Sequence, residues 1–185
     1  YQYRGLKEQM YLSNYDYDKK ILSKLNLKND EAVFTIRPPA FHAHYHLNHT
    51  NELFWKLIRK LDNVNSIQVL LLPRDFSQLV FFQRQKFRNI KIISQALDGP
   101  SLILNSDVVI SGGGTMNREA VALGTRVFTV FSLNIGGVDK FLIDKGLLEK
   151  LDEDIKIPMI KQKKRVRLKS TSPDVIVDQI LNFES

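Results

Sequence analysis

This chain predicts a doubly wound parallel sheet of the α/β class, and three observations carry that expectation. Short apolar runs recur along the sequence. They are solid rather than alternating, as strands buried on both faces must be. Between them lie segments whose apolar residues have helical spacing. Strands that alternate with helices build a parallel sheet covered on both sides. The architecture is Rossmann-like, its ligands lie beyond the carboxyl ends of the strands, and 185 residues suffice for its core.

The elements follow in order. Residues 1–14 mix aromatics and charges without a clean period. Residues 16–25 read as helix, with Ile21, Leu22 and Leu25 on one side. Residues 32–36 read as a strand that Arg37-Pro38-Pro39 ends, because paired prolines cannot continue a ladder. Residues 51–61 space Leu53, Phe54, Leu57, Ile58 and Leu61 helically. Residues 67–72 form an apolar strand stopped by Pro73, residues 76–88 a helix, and residues 90–93 a short strand. At Asp98-Gly99-Pro100 a helix begins, capped by Asp98 or Gly99 and opened by proline. Further strands are expected at residues 107–110, 126–130 and 155–157, and helices at 138–145 and 174–182. The strand ends to search for function are residues 37–46, 73–77, 94–98, 111–115 and 131–137.

Composition narrows the function. No apolar run approaches the length of a membrane span, and no secretory pattern opens the chain. A cytoplasmic location is expected, with the inner membrane face as a peripheral alternative. Zero cysteines exclude disulfides, thiolate catalysis and cysteine-bound zinc. The chain opens at Tyr1 without an initiator Met and reads as a piece of a longer protein. The net charge of +7 is concentrated in Lys161, Lys163, Lys164, Arg165, Arg167 and Lys169. This tract reads first as a solvated edge or loop, since lysines guard sheet edges. Contact with an anionic membrane surface comes second. Nucleic acid comes third, because Phe183 is the one aromatic nearby for stacking.

The most informative stretch is Ser111-Gly112-Gly113-Gly114-Thr115-Met116-Asn117-Arg118-Glu119. A strand precedes it, and a helix closed by Gly124 follows. Glycines let the backbone approach a ligand, and the free N–H groups of the first helical turn, aided by the helix dipole, point at an anion. Thr115, Arg118, Glu119 and Ala122 share one helix face. Arg118 can grip a phosphate bidentately, and Glu119 can accept two hydrogen bonds from a sugar diol. The loop lacks the lysine and spacing of a Walker motif, and it lies too late for the dinucleotide fingerprint. Arg37 and Arg74 end apolar strands beside prolines, where either could clamp phosphate. Lys140 and Asp139 follow Gly136-Gly137 at another strand end and are candidates for the sugar or diphosphate. His42, His44, His46 and His49 cluster without an interleaved acid, so no metal site is expected. His44 and His46 are candidates for acid–base work. No cofactor is expected.

The segment from Asp107 through Ala120, with the exit Leu123-Gly124-Thr125-Arg126-Val127, resembles the late sheet–loop–helix segment of GT-B proteins, and in particular the UDP-N-acetylglucosamine 2-epimerase group. Closer still is the resemblance to an uncharacterised prokaryotic family, catalogued as a domain of unknown function and distantly related to that group. It rests on Gly5-Leu6-Lys7-Glu8 near Tyr11-Leu12, on Arg37-Pro38-Pro39 with His44-Tyr45-His46, and on Gly113-Gly114-Thr115-Met116-Asn117-Arg118-Glu119. The resemblance implies the C-terminal half of a two-domain GT-B protein, with residues 1–30 as an inter-domain segment and 31–185 as a nucleotide-sugar-binding domain. It implies a UDP-sugar as partner and a glycosyltransferase or sugar epimerase as the whole, with an N-terminal Rossmann-like half outside this chain; the alternative is a non-catalytic nucleotide-binding module. Gly112, Gly113, Gly114 and Thr115 would hold the diphosphate, Glu119 the ribose, and residues 94–97 the base, with Arg37, Arg74, Asn117, Arg118 and Lys140 around them. The epimerase group carries two adjacent acids on this helix, where Arg118 precedes Glu119 here.

Overall fold

The structure, a computed structural model, describes residues 5–28, 30–40, 48–130, 135–162, 165–169, 174, 177–178 and 181, with the backbone alone for 48–51. Among the described residues six strands form one wholly parallel sheet: β1 (Ala32–Arg37), β2 (Ile67–Leu71), β3 (Ile90–Ile92), β4 (Val108–Ser111), β5 (Arg126–Thr129) and β6 (Glu149–Lys150). Their spatial order is β3-β2-β1-β4-β5-β6. The chain therefore winds outward from β1 in one direction, then returns and winds outward from β4 in the other. Phe34 pairs in register with Val69 and Val108, and Ile36 with Leu71 and Ile110.

Side chains leave each strand alternately to its two faces. Phe34, Ile36, Val69, Leu71, Val108 and Ile110 meet α3 (Asn48–Asp62) and α4 (Phe76–Gln83) on one side. Leu53, Phe54, Leu57, Ile58 and Leu61 of α3 are at most 1% exposed, so the helical spacing in the sequence marks a buried stripe. Val33 and Leu70 meet α2 (Ile21–Lys24) and α5 (Gly99–Asn105) on the other side. Val109 and Val127 there meet α1 (Lys7–Leu12), α6 (Thr115–Leu123) and α7 (Gly137–Asp144). Leu6 and Leu12 belong to that cluster, and Ile21 and Leu25 to its neighbour, so the N-terminal segment is packed into the same body.

Three expectations about elements are corrected. The helix expected over residues 16–25 is the single turn α2, and the helix expected over 76–88 ends at Gln83. The strand expected over residues 155–157 is absent. Ile155 has φ +45, a left-handed conformation that no strand accommodates. Its carbonyl accepts from Lys60 Nζ at 2.6 Å, while Ile155 and Ile157 plug the α3 side of the core. The sixth strand is instead Glu149–Lys150, which pairs with Phe128 and Thr129 of β5. Apolar content at 155–157 signalled burial, and burial does not require a ladder. The helix expected over residues 174–182 lies mostly outside the described residues.

The basic tract supplies internal fasteners. Arg165 donates to the carbonyls of Leu104 and Ser106 and to Thr125 Oγ1, which caps the C-terminal end of α5 with a cation. The Arg167 guanidinium lies 5.4 Å from the Tyr17 ring centroid. Leu168 N–H donates to Ala122 at 3.1 Å, so this segment crosses the end of α6. The crossing requires Gly124, where an added Cβ would lie 2.6 Å from the backbone of Val166 and φ is +70. Gly146 has φ +66 but open space around it. Gly146→Ala therefore meets only the left-handed strain and is expected to lower the unfolding free energy by about 1–2 kcal/mol. Gly124→Ala adds a backbone collision and is expected to cost about 2–4 kcal/mol. Urea unfolding of both variants checks this; equal losses would mean that the crossing segment does not press on α6.

Candidate functional site

At the carboxyl end of the sheet, β1 and β4 lie side by side and their onward chains leave for opposite faces. A crevice opens at such a switch point. Its floor is the glycine loop. Gly112 packs so closely on β1's exit that an added Cβ would stand 2.8 Å from Pro39 Cα. Gly113 and Gly114 have φ values of +96 and +90, which only glycine adopts freely. The loop is braced from below. Ser111 Oγ donates to Asn117 Oδ1 at 2.6 Å and accepts from Gly113 N–H at 3.1 Å. Asn117 is wholly buried, and its Nδ2 has no partner among the described residues. It is a brace of the loop rather than a wall of the crevice.

This bracing redistributes the expected donors. Gly113 N–H is turned to Ser111. The opening of α6 is left to Gly114, Thr115 and Met116, whose N–H groups precede the first full helical hydrogen bond. Gly114, the cap residue, has nothing within 4 Å of where a side chain would begin, so a ligand can approach the helix end.

Two cations face this end. The crevice, about 900 Å³, is lined by Arg37, Arg74, Gly113, Gly114, Thr115 and Glu119, with residues 94–97 along one wall. Arg74 is held by its own loop. Its Nε donates to the Pro38 carbonyl at 2.6 Å and its N–H to Gln78 Oε1 at 2.9 Å. Gln78 Nε2 in turn donates to the Pro39 carbonyl at 2.8 Å. The prolines thus offer carbonyls that Arg74 and buried Gln78 satisfy. Burial lowers the Arg74 pKa, and the charge of Arg37 lowers it further, against the opposing pull of Asp75. Neither arginine has an ion-pair partner among the described residues. Two like charges held together in a half-buried crevice are stabilised by an anion between them.

Glu119, one turn into α6, lines the same crevice. Its Oε1 accepts from the Tyr11 hydroxyl at 2.7 Å. Burial raises its pKa, the Tyr11 bond acts against that, and Glu8 and Asp98 add to the rise.

Other expected residues stand elsewhere. Arg118 Nε donates to Asp139 Oδ1 at 3.0 Å, tying α6 to α7. Lys140 pairs with Asp144 one turn along α7. Neither lines the crevice. The histidine cluster at 42, 44 and 46 lies outside the described residues, as does the side chain of His49. Sequence reading missed Gln78, Tyr11 and Tyr15. Gln78 follows Asp75, whose carboxylate caps α4 by accepting from Gln78 N–H at 2.8 Å, and that cap was the available signal. The tyrosines gave no signal of these bonds, because Glu119 is 108 residues from Tyr11 and Asp98 is 83 residues from Tyr15.

The helix end can be tested without disturbing the fold. Proline is tolerated at the first helical position, where its missing N–H is not needed within the helix. Thr115→Pro should leave the melting temperature nearly unchanged. It should weaken binding of an anion such as pyrophosphate about tenfold, the value of one charge-assisted hydrogen bond. Calorimetric titration checks this; undiminished binding would place the anion away from α6.

Known proteins bear on this geometry. An uncharacterised protein of Methanocaldococcus jannaschii is 32% identical over 133 residues, which is 71% of this chain and 37% of that protein. The UDP-GlcNAc 2-epimerase of the same organism superposes with a TM-score of 0.62 at 14% identity, over 89% of this chain and 50% of the epimerase. The glycosyltransferase SnogD from Streptomyces nogalater gives 0.55 at 14% identity, over 77% of this chain and 37% of its own. The S. aureus MnaA–UDP co-structure gives 0.54 at 16% identity, over 74% and 36%. At these identities the solved structures establish the fold, that of a Rossmann-like portion of GT-B-type proteins. The chain spans half or less of each of these relatives. A family model matches residues 1–184, and the chain belongs to that family, described as "Protein of unknown function (DUF354)".

Proposed function

We propose that this domain binds the nucleoside diphosphate part of a nucleotide sugar, a UDP-sugar in the first instance, as one half of a glycosyltransferase or sugar epimerase. The carrying observation is the convergence of Arg37, Arg74 and the α6 N-terminus on one crevice, where neither arginine forms an ion pair with a described residue and Asp75 is the acid whose charge acts on Arg74. A diphosphate supplies the missing charge. Its oxygens suit backbone N–H groups at a helix end and guanidinium forks together. On this reading Glu119 accepts from the ribose hydroxyls one helical turn from the phosphates, and residues 94–97 flank the base. The epimerase of M. jannaschii with UDP-GlcNAc and UDP bound, and MnaA with UDP bound, have the same fold and supply the choice of nucleotide.

The glycosyl-transfer reading is favoured over epimerisation by one observation. Arg118 stands where the epimerase group has an acid, and it is committed to Asp139. In either case the domain grips a nucleotide, and the second reactant would be oriented by a partner half.

Binding is measured by thermal shift with UDP, GDP, CDP, TDP, UDP-GlcNAc and uridine. A diphosphate-bearing ligand is expected to raise the melting temperature while uridine does not, because ligands that bind the native state stabilise it. Arg74→Ala should reduce that affinity by about tenfold or more, with a flatter dependence on salt. No shift with any nucleotide at millimolar concentration would end the proposal.

The ribose assignment has its own test. Glu119→Ala should abolish any preference for UDP over 2′-deoxy-UDP, a difference of about 1–3 kcal/mol when a buried acceptor is left unpaired. Its melting temperature should change little, since the residue caps nothing in α6. Loss of stability with unchanged preference would make Glu119 a scaffold residue.

A further inference from the structure

Around Glu119, which lines the crevice, stands an unusual group of side chains. Two tyrosines of the N-terminal segment each donate to a carboxylate far away in sequence. The Tyr11 hydroxyl meets Glu119 Oε1 at 2.7 Å, and the Tyr15 hydroxyl meets Asp98 Oδ1. Asp98 is already used, since it caps α5 by accepting from Ser101 N–H at 3.0 Å. Glu119 is not a cap, and apart from Tyr11 its carboxylate has no hydrogen-bond partner among the described residues. Tyr11 is itself 43% exposed, so the bond is not a by-product of burying its ring.

We infer that Tyr11 is the positioning residue for Glu119, holding one carboxylate oxygen by its hydroxyl so that the other is presented to a vicinal diol in the crevice. This rests on the diol reading of Glu119 given above. A carboxylate on a flexible three-torsion side chain samples several rotamers, and a tether at Oε1 selects among them before the ligand arrives. A tyrosine suits the task because its hydroxyl can donate while its rigid ring adds little entropy cost. Burial and the bond to Glu119 both push the Tyr11 pKa above its ordinary value, so it remains a donor through neutral pH.

Charge gives the tether a second consequence. Glu119 is faced by Tyr11, Glu8 and Lys7 of α1, by Tyr15 after it, and by Asp98 at the start of α5. Burial, Glu8 and Asp98 favour the protonated acid, whereas the Tyr11 bond and Lys7 favour the carboxylate. Only the carboxylate accepts from both hydroxyls of a diol. Diol affinity is therefore present above the Glu119 pKa and lost as pH falls through it. Without the Tyr11 hydroxyl that pKa rises, so the loss must begin at a higher pH.

The experiment compares the 185-residue parent with Tyr11→Phe and Tyr15→Phe. UDP and 2′-deoxy-UDP are titrated by calorimetry across a pH series, and melting temperatures are recorded alongside. Tyr15→Phe removes an equivalent tyrosine–carboxylate bond from the same segment without touching the tether. Expected for Tyr11→Phe are a preference for UDP reduced by about three- to tenfold, the worth of one hydrogen bond, and an acid limb of UDP affinity displaced to higher pH. Tyr15→Phe should keep the parent's preference and acid limb. A parent that binds both nucleotides equally overturns the diol reading, and this inference with it. A parent that discriminates, alongside a Tyr11→Phe variant with the same preference and the same limb, overturns the inference alone. In that case Tyr11 only fastens α1 to α6, and a lowered melting temperature would be its whole effect.

Discussion

The approach of Gly112 to Pro39 is the contact on which the site depends. β1 and β4 are neighbours, and their continuations must part at the same level of the sheet. That is sterically feasible only where one of them carries no side chain, and a Cβ on Gly112 would collide with Pro39 Cα. Close packing there places the start of α6 beside the end of β1. Arg37 comes with β1, and Arg74 is drawn in because the Pro38 carbonyl, freed of any ladder role, accepts from its Nε. Backbone sterics thus assemble two guanidinium groups and a helix end that are distant in sequence.

The crevice carries both signs of charge. Arg37, Arg74 and Asp75 line it together with Glu119, on which the charges of Glu8 and Asp98 act. Such a mixture suits a ligand with anionic groups at one place and hydroxyl donors at another. The α6 dipole adds positive potential at its first turn and fades along the helix. Glu119 lies far enough along to be governed by its own surroundings. The cost of burying its charge is moderated by hydrogen bonding rather than by a salt bridge. Carboxylates that must stay available to a ligand are better served by a neutral donor, which leaves the remaining lone pairs unclaimed.

The basic tract shows how charge counts mislead when geometry is missing. Arg165 is spent on carbonyls at the end of α5, and Arg167 on the ring of Tyr17. Arg165 is half-buried, whereas Arg167 stays exposed beside that ring, and both contribute to the net charge of +7. Asp107 answers them from within, accepting from Val33 N–H at 2.9 Å and from Gln162 N–H at 2.8 Å. The segment crosses the end of α6 through Leu168, while Val166, Arg167 and Lys169 stay exposed as a solvated loop does. No helix among the described residues is long and apolar enough to cross a membrane.

The sequence by itself determined the fold class, the positions of the main strands along the chain and the place of the glycine loop. These depend on local regularities: solid apolar runs, helical spacing at 53–61, and glycines where φ must be positive. The capped start at Asp98 belongs with them, since a cap acts within three residues of itself. Tertiary structure decided which charged residues share a space. Arg118 and Lys140 looked equivalent to Arg37 and Arg74 along the chain, yet α7 claims Arg118 and holds Lys140 apart. Ile155 looked like a strand residue, yet its burial comes from a left-handed turn. Tyr11 figured in the family resemblance, yet its bond to Glu119 was not legible, because that partner is 108 residues distant. Hydrogen bonds between side chains depend on where whole elements dock, and docking is set by the packing of two sheet faces at once, which no local pattern encodes.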